Sequence, residues 1–279
     1  MENRNDLMDL KKAELKSIVH DCITKIASDN GYNVSAIEKS LFSGIIKLKE
    51  ILQNSNNIVF FGGAGVSTES GIPDFRSADG LYSESYQYPP ETMLSRSFFM
   101  AHTEEFYRFY REKMLYPDAK PNNAHKALAK LEKQGKLKAV ITQNVDGLHT
   151  EAGNVNVLEL HGSALRNLCM TCKECYPVDK ILQSKAVPLC VCGGIIKPDV
   201  VLYEEGLDQS VMTKAIKVIS EADVLIVGGT SLNVYPAAGM IDYYCGDKLI
   251  LINKTETSYD RQADLIIRES IGHALKEAI

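Results

Sequence analysis

The amino-acid sequence predicts an α/β fold with a central parallel sheet, an inserted small domain and a helical N-terminal extension. Short apolar segments of strand length alternate with helical segments along most of the chain, and glycine or polar residues follow several of these strands. Open parallel sheets bind ligands at that edge, so the pattern predicts a Rossmann-like domain. A cysteine-rich segment interrupts the alternation, and a helical stretch precedes the first strand.

The composition is that of an ordinary globular protein. The 279 residues are 45% hydrophobic and 24% charged, with a net charge of −5. A negative balance disfavours a nucleic-acid surface. We find neither an apolar run of membrane-spanning length nor a signal-peptide core, and therefore expect a cytoplasmic protein that binds neither nucleic acid nor membrane. In such a chain the seven cysteines favour metal ligation or burial over disulfides.

The N-terminal extension, residues 1–44, has apolar residues at three- and four-residue steps, which predicts helix. A second helix is expected to begin near Asn33 or Ser35 and to run through Leu52. This extension either packs on the main domain or forms an oligomer contact, and the sequence leaves the oligomeric state open.

The first strand is expected at residues 58–61, which are all apolar. Gly63 and Gly65 follow, and they allow the backbone to turn tightly beside a ligand. Ser67 and Thr68 are suited to capping a new helix and to holding phosphate or ribose oxygens. The turn alone is a weak signal, and its glycine spacing differs from that of an ordinary dehydrogenase.

The remaining elements follow in order along the chain. Residues 77–123 are helical and rich in aromatic residues, which we interpret as helix core, and a helix ending at Gly135 comes next. Further strands are predicted at residues 138–142, 155–160, 222–227, 248–252 and 263–267.

Two close cysteine pairs lie between the predicted strands at 155–160 and 222–227. Cys169 and Cys172 form the first pair, and Cys190 and Cys192 form the second. This spacing predicts one tetrahedral zinc ion, with a reduced cluster that binds no metal as the alternative. No histidine or acid in the segment suggests an open coordination position, so we expect the zinc to be structural.

The sequence GAGVSTESGIPDFRS at residues 63–77 resembles the signature of the sirtuins, the NAD-dependent protein-lysine deacylases. The resemblance covers nearly all of residues 45–279. It implies a NAD-binding domain of residues 45–76, 124–165 and 199–279. The small domain would comprise a helical module, residues 77–123, and a zinc-binding module, residues 166–198. Cys175 is then a spare thiol, because Cys169 and Cys172 occupy the family's positions.

The resemblance also assigns roles to individual residues. His161, in the sequence ELHG, aligns with the catalytic base that accepts a ribose hydroxyl proton, and Asn144 orders the reacting face. The implied reaction transfers the acetyl group of acetyl-lysine to ADP-ribose and releases nicotinamide. The implied cofactor contacts are Gly63, Ala64, Gly65, Ser67, Thr68, Ile72, Asp74, Phe75, Arg76, Gln143, Val145, Asp146, Gly229, Thr230, Ser231, Asn253 and Ile271. His20, His102, His125, His149 and His273 are interpreted as satisfied structural histidines.

The substrate, an acetyl-lysine protein or peptide, is expected to add a strand between two loops. The implied contacts are Val201, Leu202, Tyr203 and Val234. Tyr203 and Glu204 replace the phenylalanine and glycine of the family pattern V-V-x-F-G-E, which places the peptide preference in question. Tyr110 occupies the position at which succinyl-removing relatives carry an arginine, so acetyl is the expected acyl group.

Two other functions remain open. The same fold can transfer ADP-ribose to another nucleophile or hydrolyse NAD, although the zinc pairs and peptide loops argue against a NAD hydrolase. A non-catalytic NAD sensor is disfavoured because it would need neither His161 nor Asn144.

Overall fold

The computed structural model describes residues 34–75, 77, 80, 81 and 88–279. The first predicted N-terminal helix, His20 and the implied cofactor contact Arg76 lie outside these residues. The second predicted helix is present as α1, Val34–Asn54. Among the residues described, no helix combines the length and the apolar character needed to cross a membrane.

The strands of the described chain form two sheets. In chain order they are β1 Ile58–Gly62, β2 Leu137–Thr142, β3 Val157–Glu159, β4 Gly162–Cys169, β5 Cys175–Pro177, β6 Ile196–Val200, β7 Val224–Gly228, β8 Lys248–Ile252 and β9 Leu265–Ile267. Six of them form a parallel sheet in the order β3-β2-β1-β7-β8-β9. The antiparallel sheet has the order β5-β4-β6. The predicted fold class is confirmed.

The helices cover both faces of the parallel sheet. In chain order they are α1, α2 Pro90–Met93, α3 Arg96–Ala101, α4 Thr103–Lys113, α5 Asn123–Lys133, α6 Leu148–Glu151, α7 Asp179–Leu182, α8 Gln209–Glu221 and α9 Ile271–Ala278. Side chains alternate across a strand, so β1 serves both layers. Ile58 and Phe60 pack with α1, α5 and α9, whereas Val59 and Phe61 pack with α8.

The aromatic segment forms a third core with the antiparallel sheet. Phe99, Phe106 and Tyr107 are buried there, and the rings of Phe106 and Tyr107 meet edge-on at 5.3 Å. Cys169 and Cys190 belong to the same core. The interpretation of the aromatic residues as helix core is confirmed.

Several local predictions were wrong. Ser67 and Thr68 do not begin a long helix, because β1 is followed only by the 3-10 turns Ala64–Val66 and Thr68–Ser70. The Ser67 hydroxyl caps neither turn but donates to Asp146, and Gly71 ends the second turn at a φ of +84°. The strands predicted at 155–160, 222–227 and 263–267 each begin two residues later. At the first of them, the N–H groups of Val155 and Asn156 donate to the Glu132 carboxylate.

Candidate active site

The candidate site is a cavity of about 460 Å³ at the carboxyl ends of β1, β2 and β7. Strand β1 lies between β2 and β7, and the chain leaving β1 runs to β2 and β3 on one side, whereas the chain leaving β7 runs to β8 and β9 on the other. Ligands bind at such switch points of an open parallel sheet. The opposite wall of the cavity comes from the segment after α4 and from the neighbourhood of α7.

The glycine turn after β1 lies directly against the loop after β7. The Gly65 N–H donates to the Gly229 carbonyl over 2.8 Å. A Cβ on Gly65 would lie 2.8 Å from the Gly229 Cα, and one on Gly63 would lie 2.8 Å from the Thr230 Cβ. Only glycine allows the two backbones to approach this closely. The result is a cradle of main chain open to the cavity, which fits the phosphates of a dinucleotide.

A polar network joins this turn to the loop after β2. The Ser67 hydroxyl donates to Asp146 Oδ2 over 2.6 Å, and Asn144 Nδ2 donates to the Ser67 Oγ over 3.0 Å. Gln143 Nε2 donates in turn to Thr230 Oγ1 over 3.0 Å. These bonds hold three separate loops in one arrangement around the cavity.

His161 lies between β3 and β4 and lines the cavity. Its Nδ1 is 2.9 Å from the Gln143 carbonyl oxygen. Because a carbonyl oxygen only accepts, Nδ1 carries the proton and Nε2 is left as the basic nitrogen. Burial lowers the pKa of His161, and the bond to the Gln143 carbonyl opposes that shift in part. The imidazole is therefore neutral at physiological pH, as a general base must be.

The structure brings together nearly all the site residues that the sequence predicted. Those that line the cavity are Gly63, Ala64, Gly65, Ser67, Ile72, Asp74, Phe75, Gln143, Asn144, Val145, Asp146, His161, Val201, Leu202, Tyr203, Gly229, Thr230, Ser231, Val234 and Asn253. Thr68 and Ile271 line an adjoining cavity that shares Gly65 and Asn253 with the first.

Sequence reasoning missed the wall contributed by the small sheet and its helices. Met114, Leu115 and Tyr116 line the cavity after α4, and Val178 and Leu182 line it at α7. Apolar residues in a helical region look like ordinary core residues, so no sequence signal distinguishes them. They lie far along the chain from the glycine turn, so only the folded structure shows that they line the same cavity.

Two further histidines lie buried beside β1. The rings of His125 and His149 are 4.6 Å apart, and that of His149 is 6.0 Å from the Phe60 ring. The His125 Nδ1 accepts from the Asn122 N–H. Within the part of the chain that the structure describes, His125 Nε2 and both nitrogens of His149 lack a hydrogen-bond partner. His125 is thus satisfied at one nitrogen, whereas the other three ring nitrogens do not match the prediction that both residues are satisfied structural histidines.

The four cysteines of the predicted metal site come together at one end of the antiparallel sheet. The Sγ atoms of Cys169, Cys172, Cys190 and Cys192 all lie within 4.8 Å of one another. Cys175 stands outside this group, on β5. Four thiolates at this separation are the donor set of a structural zinc ion.

Comparisons with known proteins agree with this geometry. The model of the Sir2 family matches residues 63–236. A NAD-dependent protein deacetylase of Clostridium acetobutylicum is 60% identical over 243 residues, which cover 86% of this chain and 99% of that protein. Another, from Cutibacterium acnes, is 51% identical over 231 residues, or 82% of this chain and 95% of that protein.

Solved structures give the same result. A Sir2 structure with a p53 peptide and NAD⁺ has a TM-score of 0.73 and 42% identity over 82% of this chain and 95% of its own. A structure of Sir2Tm bound to a propionylated peptide has a TM-score of 0.74 and 41% identity over 83% of this chain and 95% of its own.

Proposed function

This chain belongs to the Sir2 family, and from that premise we propose that it is a NAD-dependent protein-lysine deacetylase. The reaction moves the acetyl group from lysine to ADP-ribose and releases nicotinamide. The observation that carries the proposal is a neutral His161 facing the same cavity as the glycine cradle of β1 and β7. Relatives that cover most of this chain bear the name NAD-dependent protein deacetylase.

In this proposal the residues around the cavity have different roles. NAD, when bound, would supply an electrophilic ribose carbon for the carbonyl oxygen of acetyl-lysine, with nicotinamide as the leaving group. Gly63 and Gly65 let the main chain approach the phosphates without side chains in the way. Asp146 and Asn144, joined through Ser67, orient the nicotinamide side of the cofactor. His161 Nε2 then takes the ribose hydroxyl proton that must leave before the acetyl group can move.

The peptide is proposed to lie between residues 201–203 and Val234, because both line the cavity from opposite loops. Tyr203 is 36% exposed there, but its N–H and carbonyl are bonded to the chain at Leu94 and Arg96, so an added strand would use other main-chain groups of these loops. The solved relatives named above bind a p53 peptide and a propionylated peptide. Acetyl-lysine in a protein or peptide is the proposed substrate of this chain.

The zinc site has a structural role in this proposal. Cys169, Cys172, Cys190 and Cys192 would hold one ion and tie β4 to the segment before β6, away from the reacting groups. We also propose the domain division inferred from the sequence, with the parallel sheet as NAD-binding domain and residues 77–123 and 166–198 as small domain.

We further propose a cytoplasmic location, because the described cysteines form no disulfide, as is usual for proteins of that compartment.

The test is incubation of the purified protein with NAD and an acetyl-lysine peptide, followed by mass spectrometry. Deacetylated peptide, nicotinamide and O-acetyl-ADP-ribose should appear in equal amounts, and only when NAD is present. Deacetylation without NAD would refute the proposal. Consumption of NAD without acetyl transfer would instead identify a NAD hydrolase, and a peptide gaining the mass of ADP-ribose would identify a transferase.

A further inference from the structure

Glu204 has a backbone conformation that glycine normally supplies. Its φ is +73°, in the left-handed region, and it follows the residues proposed to bind the peptide. A side chain is disfavoured in this conformation unless something compensates for it. The compensation is visible in its contacts. Glu204 Oε2 accepts from the Ser97 N–H over 2.9 Å, and Oε1 accepts from the Ser97 hydroxyl over 2.8 Å.

These bonds complete the N-terminus of α3. The first N–H groups of a helix have no partner within it and must find one elsewhere. Here the Arg96 N–H donates to the Tyr203 carbonyl over 3.0 Å, and the Ser97 N–H donates to Glu204. The Phe98 N–H donates to the Ser95 hydroxyl, which is the local cap. Two of these three groups are therefore satisfied by the peptide loop.

The loop is also paired with the chain on the other side of Tyr203. The Tyr203 N–H donates to the Leu94 carbonyl over 3.0 Å, and Ser95 and Tyr203 form a parallel bridge. Glu205 has other partners, because its carboxylate accepts from the Leu202 N–H and pairs with Lys197 at 3.0 Å and with Arg96 at 3.3 Å. Glu205 thus braces the loop internally, against β6 and against the exposed Arg96 side chain, whereas Glu204 bonds the N–H and the hydroxyl of Ser97 on α3.

We propose that Glu204 is a positioning residue which, through Ser97, sets the place of the peptide-binding loop relative to Val234. This inference rests on the proposed deacetylase function. Residues 201–203 and Val234 form two walls of the cavity, so the position of the first wall decides how well an added strand fits between them. Glu204 itself lines the cavity, but both oxygens of its carboxylate are bonded to Ser97, so its proposed effect on peptide binding comes through the position of the loop.

The experiment measures peptide KM, NAD KM and kcat for Glu204→Ala, Ser97→Ala and the double variant. Glu204→Ala should raise the peptide KM about tenfold and Ser97→Ala about threefold, with NAD KM and kcat within about twofold of wild type. The double variant should have nearly the peptide KM of Glu204→Ala, because the Ser97 hydroxyl reaches the loop through the carboxylate, and its other contact is the Ser95 hydroxyl of the local cap at 3.1 Å. Glu204→Gln keeps an acceptor for the Ser97 N–H and should restore most of the affinity.

Two further variants separate positioning from stability and from charge. Glu204→Gly removes the side chain but suits the left-handed backbone, so it should keep the melting temperature while the peptide KM rises. Glu104→Ala removes the same charge from an exposed position outside the cavity lining and should leave every parameter unchanged.

Hydrogen exchange of residues 201–207 gives a readout independent of activity. Exchange should be faster in Glu204→Ala and Ser97→Ala than in the wild type, even if the wild type proves to have no deacetylase activity. Unchanged exchange, or effects on peptide KM that add in the double variant, would overturn the proposal. A loss of affinity confined to peptides with lysine or arginine beside the acetyl-lysine would also overturn it, because that result would mean charge recognition.

Discussion

At the residue scale, His161 is the group on which the proposed chemistry depends most. His161→Ala should lower kcat about 10²- to 10⁴-fold, the usual contribution of a general base, while the circular dichroism spectrum stays that of the wild type. His273→Ala is the control, since this histidine is exposed and lies on α9 away from the cavity lining. Retention of near wild-type turnover by a folded His161→Ala protein would refute the assigned role.

The residues around Tyr107 determine the expected acyl preference. Tyr107 and Tyr110 are buried and do not line the cavity, and Arg111 is directed to the Ala186 carbonyl at 3.0 Å. A succinyl carboxylate would therefore enter the cavity without an arginine from this helix, at a cost of at least about tenfold in kcat/KM relative to acetyl. Matched acetyl and succinyl peptides provide the measurement. Equal or greater succinyl activity would contradict the prediction and point to Lys113, which does line the cavity.

At the element scale, β4 begins at a position that tolerates only glycine. Gly162 has a φ of +74°, and an added Cβ would lie 2.0 Å from the Asp199 carbonyl oxygen on β6. Gly162→Ala should cost about 2–4 kcal/mol in the free energy of unfolding, from left-handed strain and overpacking together. Gly135 has the same φ of +74° with nothing within 4 Å of its Cβ, so Gly135→Ala measures the strain alone, about 1 kcal/mol. If urea unfolding showed the same loss of unfolding free energy in both variants, the contact between the added Cβ and Asp199 would have to relax.

The zinc-binding end of β4 provides a second prediction at this scale. Mass spectrometry should find about one zinc per chain, and Cys172→Ser should lose it because a tetrahedral site needs all four ligands. Chelation should first alter the near-UV signal of tyrosines packed near the cysteines, since Cys169 and Cys190 belong to the same core as Tyr107. Cys175→Ser is the matched control and should keep its metal. Loss of zinc in that variant would show that the ligand set is different.

At the scale of the whole molecule, the buried histidine pair should make stability depend on pH. Burial lowers the pKa of His125 to about 4, opposed by Asp146 and Glu151, and that of His149 to about 3. The unfolded chain binds these protons near pH 6.5, so the stabilisation is present above 6.5 and is lost as the pH falls toward the folded-state values. Each histidine should lower the free energy of unfolding by about 2 kcal/mol as the pH falls from 6.5 to 5.

Urea unfolding at pH 7 and pH 5 measures this loss. In His149→Phe, unfolding at acidic pH should take up about one proton fewer, so the free energy of unfolding should fall less steeply as the pH decreases. This holds whatever the stability of the variant at pH 7. An unaltered pH dependence in His149→Phe would mean that other groups are responsible.

Much of this molecule follows from the sequence because the relevant signals are local. The apolar strand at residues 58–61 and the glycines after it predict a turn at a sheet edge, and parallel strands bring their carboxyl ends to one side wherever they lie in the order. The cysteine pairs similarly predict a tetrahedral site from spacing alone. Recognition of His161 depended on the resemblance carried by the neighbouring motifs, since a single histidine has no pattern of its own.

Only the tertiary structure decided which distant groups meet. Serine is a residue type that often caps a helix, yet the Ser67 hydroxyl donates to Asp146, 79 positions further along the chain. Glu204 reaches Ser97 across 107 positions, and Met114 and Leu182 become cavity wall. A hydroxyl or a carboxylate takes the partner that the packed backbone places within hydrogen-bond distance. That placement depends on every element packed between the two residues, which no local spacing specifies.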